Sequence, residues 1–87
     1  MIIKKLDIKE SIQKKIFDKH GVYIEEMENG LLYDKPIIYK AKDSKYLAIT
    51  HFHRYITIIF EYDNESAHII TAYPSSKWQI KLYRKKN

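Results

Sequence analysis

Cysteine is absent from all 87 residues, which excludes a disulfide framework and any thiolate metal site. Glycine and proline are scarce, two of each, so the connections between elements should be short. Long apolar runs are missing as well. Ile37-Ile38-Tyr39 and Ile56-Thr57-Ile58-Ile59-Phe60 fall far below the ~20 residues that a membrane-spanning helix needs. The opening Met1-Ile2-Ile3-Lys4-Lys5 lacks the order of charge, apolar stretch and small-residue cleavage site that marks a signal peptide, so a cytoplasmic location is expected. No serine-hydrolase elbow and no Gly-rich phosphate loop can be found. What is present is 45% apolar and 31% charged, the balance of a folded chain, and the length suits one domain over residues 1–87.

The charge is uneven. Sixteen basic residues face eleven acidic ones, and five of the sixteen lie in the stretch Lys77 to Lys86, which has no acid. The net charge of +5 therefore belongs to the carboxyl-terminal segment, while the remaining charges balance. A focused positive field beside a hydroxyl-rich segment points to a polyanion, most simply nucleic acid. Eight tyrosines suit half-buried strand positions and base stacking alike, so their number does not choose between the two.

Periodicity predicts an α+β fold with two N-terminal helices, a four-stranded antiparallel meander and a C-terminal basic helix. Residues 2–6 read as a short edge strand. A first helix is expected from Asp7, with Glu10 completing a capping box and Ile8, Ile12, Ile16 and Phe17 forming its apolar face. Gly21 should end it in a left-handed conformation. A second, acidic helix is expected over 24–29, stopped by Gly30. Strands are expected at 37–41, 45–51, 55–62 and 67–73, joined by hairpins. On the third of these, Ile56, Ile58, Phe60 and Tyr62 should face the core, leaving Tyr55, Thr57, Ile59 and Glu61 on a partly open face. The last helix should begin after Pro74 with Ser75 or Ser76 as N-cap. Trp78 and Leu82 should form its packing side and Lys77, Lys81, Arg84 and Lys85 its basic stripe.

Three segments together carry a resemblance. Lys19-His20-Gly21-Val22 leads into Glu25-Glu26-Met27. Arg54-Tyr55-Ile56-Thr57-Ile58-Ile59-Phe60-Glu61 comes later, and Ile69-Ile70-Thr71-Ala72-Tyr73-Pro74 then precedes the basic helix. Their order resembles the BrnT-like toxins of bacterial type II toxin–antitoxin systems, small proteins with a RelE-like fold, over roughly residues 7–86. The resemblance implies metal-independent cleavage of RNA and a cognate antitoxin partner that covers the active surface, with no cofactor. The expected assemblies are a toxin–antitoxin heterocomplex or a homodimer. Many BrnT-like chains have arginine-rich segments after the last strand. Here Thr-Ala-Tyr-Pro and mostly lysine stand there, closer to the wider RelE-, colicin- and barnase-like ribonucleases in which a hydroxyl on the last strand assists.

Cleaving RNA without a metal requires a base for the 2′-hydroxyl, an acid for the leaving 5′-oxygen and cations for the phosphorane charge. His20 is the first candidate for acid or base, because imidazole as a type titrates near neutrality and the family pattern puts a histidine at this helix end. A histidine there also caps carbonyls and favours the helix dipole. Arg54, one of two arginines, could grip a phosphate at two points or simply stand exposed in a hairpin. Thr71 and Tyr73 share one side of a strand and could meet a phosphate or base, or serve only as a strand pair. Lys77, Lys81, Arg84 and Lys85 are candidate contacts to the RNA backbone. Glu61 could act as base or pair with a neighbouring lysine.

His51-x-His53 would place two imidazoles on one strand face, but the spacing matches no usual zinc motif, and no metal is expected. Two functions stay open: an endoribonuclease toxin, and a non-catalytic RNA-binding or antitoxin-docking module of the same fold. A DNA-binding regulator is a weaker third, because the second helix is acidic where a recognition helix would be basic.

Overall fold

A computed structural model describes residues 1–86 as an α+β fold of three α-helices and a five-stranded mixed sheet. The strands are β1 (Lys5–Asp7), β2 (Ile37–Lys40), β3 (Lys45–His51), β4 (Tyr55–Asp63) and β5 (Ser66–Pro74). The helices are α1 (Glu10–His20), α2 (Ile24–Glu28) and α3 (Lys77–Lys86). From β2 to β5 the chain runs as the expected antiparallel meander. The expectation of a four-stranded, wholly antiparallel sheet is corrected by β1, which adds a fifth strand parallel to β5 in the order β1-β5-β4-β3-β2. Its partner lies about sixty residues away, so no local turn signal announces the pairing. Leu6 stands opposite Ala67, and Asp7 opposite His68, whose Nδ1 lies 2.8 Å from the Asp7 carboxylate.

That pairing also explains why α1 starts at Glu10 rather than Asp7. Asp7 is taken by the sheet, and Lys9 occupies the N-cap position without a side-chain hydrogen bond. At the other end Gly21 adopts φ 64° and donates its N–H to the Phe17 carbonyl, as expected. The second helix departs from expectation beyond Glu28. The chain does not stop at Gly30 but widens into a π-helical turn over Asn29–Tyr33, closed by the Asp34 N–H on the Asn29 carbonyl. Gly30 serves close approach instead: a Cβ there would sit 2.7 Å from the Thr50 side chain.

Both hairpins that flank the central strands turn through two residues of positive φ, Asp43-Ser44 and Asn64-Glu65. These are the backbone angles of two-residue hairpin turns whose twist matches the strands they join. The core gathers Ile16, Val22, Met27, Ile58, Phe60 and Ile69 between the amino-terminal helices and one sheet face. Phe17, expected on the buried side of α1, lies one position round from the Ile12–Ile16 stripe. It is 45% exposed and leans on the Tyr23 ring at 4.9 Å.

The opposite sheet face is less open than the alternation implied. Thr57 is fully buried beneath α3. That helix also turns a different side inward: Gln79 and Tyr83 are buried, whereas Trp78 is 62% exposed. Hydrogen bonds select Gln79 over the larger apolar ring, because its amide meets three polar groups of β4, β5 and the helix start. Tyr83 stacks edge-on against Tyr55 at 5.6 Å. Its phenol is pushed above its usual pKa by burial, with Asp34 and Tyr55 adding to the shift.

Candidate active site

Strand β1 is short and pairs only with Ser66–His68, so among the described residues no strand covers the outer edge of β5 beyond His68. Helix α1 lies beside this stretch, and the gap between them is a cleft of about 170 Å³. Ile12, Lys15, Ile16, Lys19 and His20 line it from the helix, and Ile70 and Thr71 from the strand. On α1 these positions follow the i, i+3, i+4, i+7, i+8 rhythm of a single helix face. One helix stripe thus supplies a greasy floor, two ammonium groups and an imidazole.

The strand side depends on a bulge. Ile59 pairs with Thr71 while the next residue, Phe60, pairs with Ile69, so Ile70 is the extra residue on β5. One inserted residue inverts the in–out alternation that follows. Ala67, Ile69 and Ala72 are therefore all buried in the core, while Thr71 and Tyr73 turn to the other side, opposite Ile59 and Thr57. The Tyr73 ring comes within 6.0 Å of the His20 ring, centroid to centroid. Three of the candidates read from the sequence, His20, Thr71 and Tyr73, are thereby brought together from positions about fifty residues apart.

Arg54 is placed differently. Its Nε and Nη2 donate to the two carboxylate oxygens of Glu26 at 2.8 and 3.0 Å, and Nη2 also donates to the Gly21 carbonyl at 2.9 Å. The guanidinium holds the Glu26 carboxyl below its ordinary pKa, mainly through this bidentate bond, and its own pKa is raised in turn. Glu26 also accepts the Tyr23 N–H at the start of α2. The arginine fork is thus spent on joining the β3–β4 hairpin to the α1–α2 junction, immediately after His20. It lies outside the cleft lining.

Lys77, Lys81, Arg84 and Lys85 are all exposed along α3. Glu61 stands opposite Lys45 and His68 and lines, with Asp7 and Lys9, a second depression that shares Ile12 and Ile70 with the His20 cleft; Glu61 itself is not in the lining of that cleft. The His51 ring lies flat on Tyr55, 4.1 Å away at 6°, and among the described residues no group of three His, Asp or Glu side chains is arranged to hold a metal. Lys15, Lys19 and Gln79 were missed by the sequence reading. The two lysines were legible as the polar margin of the Ile12–Ile16 stripe; Gln79 gave no signal beyond its place three residues after Ser76.

A half-covered sheet edge, an amino-terminal helix alongside it and a carboxyl-terminal helix behind it make up the architecture around the cleft. The crystal structure of the Brucella abortus ribonuclease toxin BrnT matches with a TM-score of 0.70, covering 85% of this chain and 99% of BrnT at 20% sequence identity. The fold is BrnT-like. No protein-family model matches the sequence, and no curated protein matches it.

Proposed function

We propose that the chain is the toxin of a type II toxin–antitoxin pair, a metal-independent endoribonuclease that cuts RNA in the cytoplasm and halts translation. The observation that carries this reading is the convergence of His20, Thr71, Lys15 and Lys19 on one cleft, with the Tyr73 ring 6.0 Å from the His20 ring beside it, in a BrnT-like fold. These groups match the needs of RNA transesterification. The 2′-oxygen bonds to phosphorus as its proton passes to the His20 imidazole. The bond from phosphorus to the 5′-oxygen breaks, and the Tyr73 hydroxyl gives that oxygen its proton. The products are a 2′,3′-cyclic phosphate and a free 5′-hydroxyl, and solvent restores both protein groups. Thr71 donates to a non-bridging oxygen, while the Lys15 and Lys19 ammonium groups balance the phosphorane charge.

A cleft with two ammonium groups and no carboxylate in its lining disfavours a divalent cation, which supports the metal-independent chemistry. The exposed cations of α3 would hold the flanking backbone, and a cognate antitoxin would cover the cleft. Arg54 enters as a positioning residue, because it grips the carbonyl that follows His20. Its engagement with Glu26 favours, as the second reading, a non-catalytic RNA-binding or antitoxin-docking module, since no free guanidinium lines the cleft.

One experiment separates the two. The parent and His20→Ala are incubated with total RNA in excess chelator. Cleavage to cyclic-phosphate ends by the parent, reduced about 100-fold or more in the variant, is expected for the enzyme. A parent that binds RNA and leaves it intact identifies the module. Growth arrest on expression, relieved by co-expressing the neighbouring reading frame, tests the toxin role.

A further inference from the structure

The polar contacts beneath Tyr73 form a chain whose direction can be worked out atom by atom. Gln79 Oε1 lies 2.9 Å from the Ser76 backbone N–H, a group that can only donate, so this atom is the amide oxygen and Nε2 is the donor. The Thr57 hydroxyl, 2.9 Å from the same oxygen, must donate to it. Having one proton, Thr57 must then accept from Ser75 at 2.8 Å. On the far side Gln79 Nε2 donates to the Tyr73 phenol oxygen at 3.2 Å. The polarity runs one way, from Ser75 through Thr57 and Gln79 to Tyr73. At its end the phenol oxygen accepts from Gln79, and its own proton is left to point away from the network.

We infer that Gln79 is a second positioning residue of the site, acting through Tyr73. By donating to the Tyr73 oxygen it keeps the phenol proton directed outward, ready for a phosphate ester. This rests on the ribonuclease reading above. The donor also stabilises the negative charge that the phenol oxygen acquires when it gives up its proton. The bland account of Gln79 is a capping box: Ser76 Oγ accepts the Gln79 N–H at 3.4 Å while Gln79 Oε1 accepts the Ser76 N–H. That account leaves Nε2 idle, yet Nε2 is the atom that reaches Tyr73.

The two roles come apart in Gln79→Glu. Glutamate forms the same capping box and still accepts from Ser76 and Thr57, so the helix start is kept. As a carboxylate it cannot donate. Tyr73 must then turn its proton inward, and the site loses its donor. The test uses a double-mutant cycle of the parent, Tyr73→Phe, Gln79→Glu and the double variant. It is read by RNA cleavage rate, by affinity for inorganic phosphate and by pH profile, with circular dichroism and thermal melts to establish folding.

Gln79→Glu is expected to lower kcat about 100-fold at neutral pH, with KM changed far less. The deficit relative to the parent should narrow as the pH falls and the carboxyl gains a proton it can donate. In the Tyr73→Phe background the same substitution should cost almost nothing further. Losses that multiply across the cycle, or a Gln79→Glu enzyme with the parent's rate and pH profile, would overturn the inference. A parent that cleaves no RNA removes the ribonuclease reading alone. The cycle is then decided on phosphate affinity, with non-additive losses supporting Gln79 and additive losses overturning its role.

Discussion

The two ends of the α1 C-terminus make opposite use of similar chemistry. On the side facing β5, Lys15, Lys19 and His20 surround an open cleft, and among the described residues no ion pair to an acid fixes them there. On the side facing the β3–β4 hairpin, Arg54 is closed down by a two-point bond to Glu26 and a third bond to Gly21. Arg54 was a sequence candidate for gripping phosphate, because its fork suits two-point contacts. The same property makes it the better internal clasp. A cation available for a ligand is one whose neighbours leave it unsatisfied, and that is decided by packing rather than residue type.

Several substitutions put pressure on this contrast. The largest effect should come from comparing His20→Ala with Arg54→Ala on RNA cleavage. On the proposed mechanism the first removes the base and should lower kcat about 100-fold or more. The second loosens only the support of the helix end and should lower it by about tenfold or less. Equal losses would place the arginine in the chemistry and dissolve the distinction.

Lys15→Gln combined with Lys19→Gln comes next. If both ammonium groups meet phosphates, the slope of log affinity against log salt should fall by about 1.4 for single-stranded RNA, and an unchanged slope would show that the cleft is not the RNA path. The clasp itself is worth less in stability. Arg54→Ala should cost about 1 kcal/mol in chemical denaturation, since the pair is partly exposed, and Arg54→Lys should recover little of it because lysine lacks the fork.

The smallest effect is on acid stability. Arg54 holds the folded Glu26 carboxyl below its ordinary value of 4.5. The stabilisation is therefore complete above that pH and is lost as pH falls through the lowered folded value. Denaturation midpoints followed downward from pH 5 should drop more steeply for the parent than for Glu26→Gln.

Much of the fold was legible because its signals are local. Positive-φ turns, Gly21 and the alternation along β4 act over a few residues, and the four meander strands fall within a residue or so of their expected ends. The misses share a different cause. The partner of β1, the inward turn of Gln79 and the clasp on Arg54 each depend on a group remote in sequence, which no periodicity reports. Thr71 and Tyr73 were placed on one strand face by simple alternation. What simple alternation could not show is that both Ile69 and Ala72 would still reach the core, which required the extra residue at Ile70. The sheet gave up one paired residue, and the hydroxyls gained an outlook.

The parallel pairing of β1 with β5 has a consequence in time as well as in space. One wall of the cleft is built from residues near the start of the chain, the other from residues 66–74, and its back support from Gln79 near the end. During synthesis the first wall emerges early and waits for the rest. That cleft cannot assemble until nearly the whole chain has left the ribosome and this long-range contact has closed, the slowest kind of contact to form. A nascent chain of this topology lacks the cleft until its last strand is free, and a product truncated before β5 lacks that wall altogether.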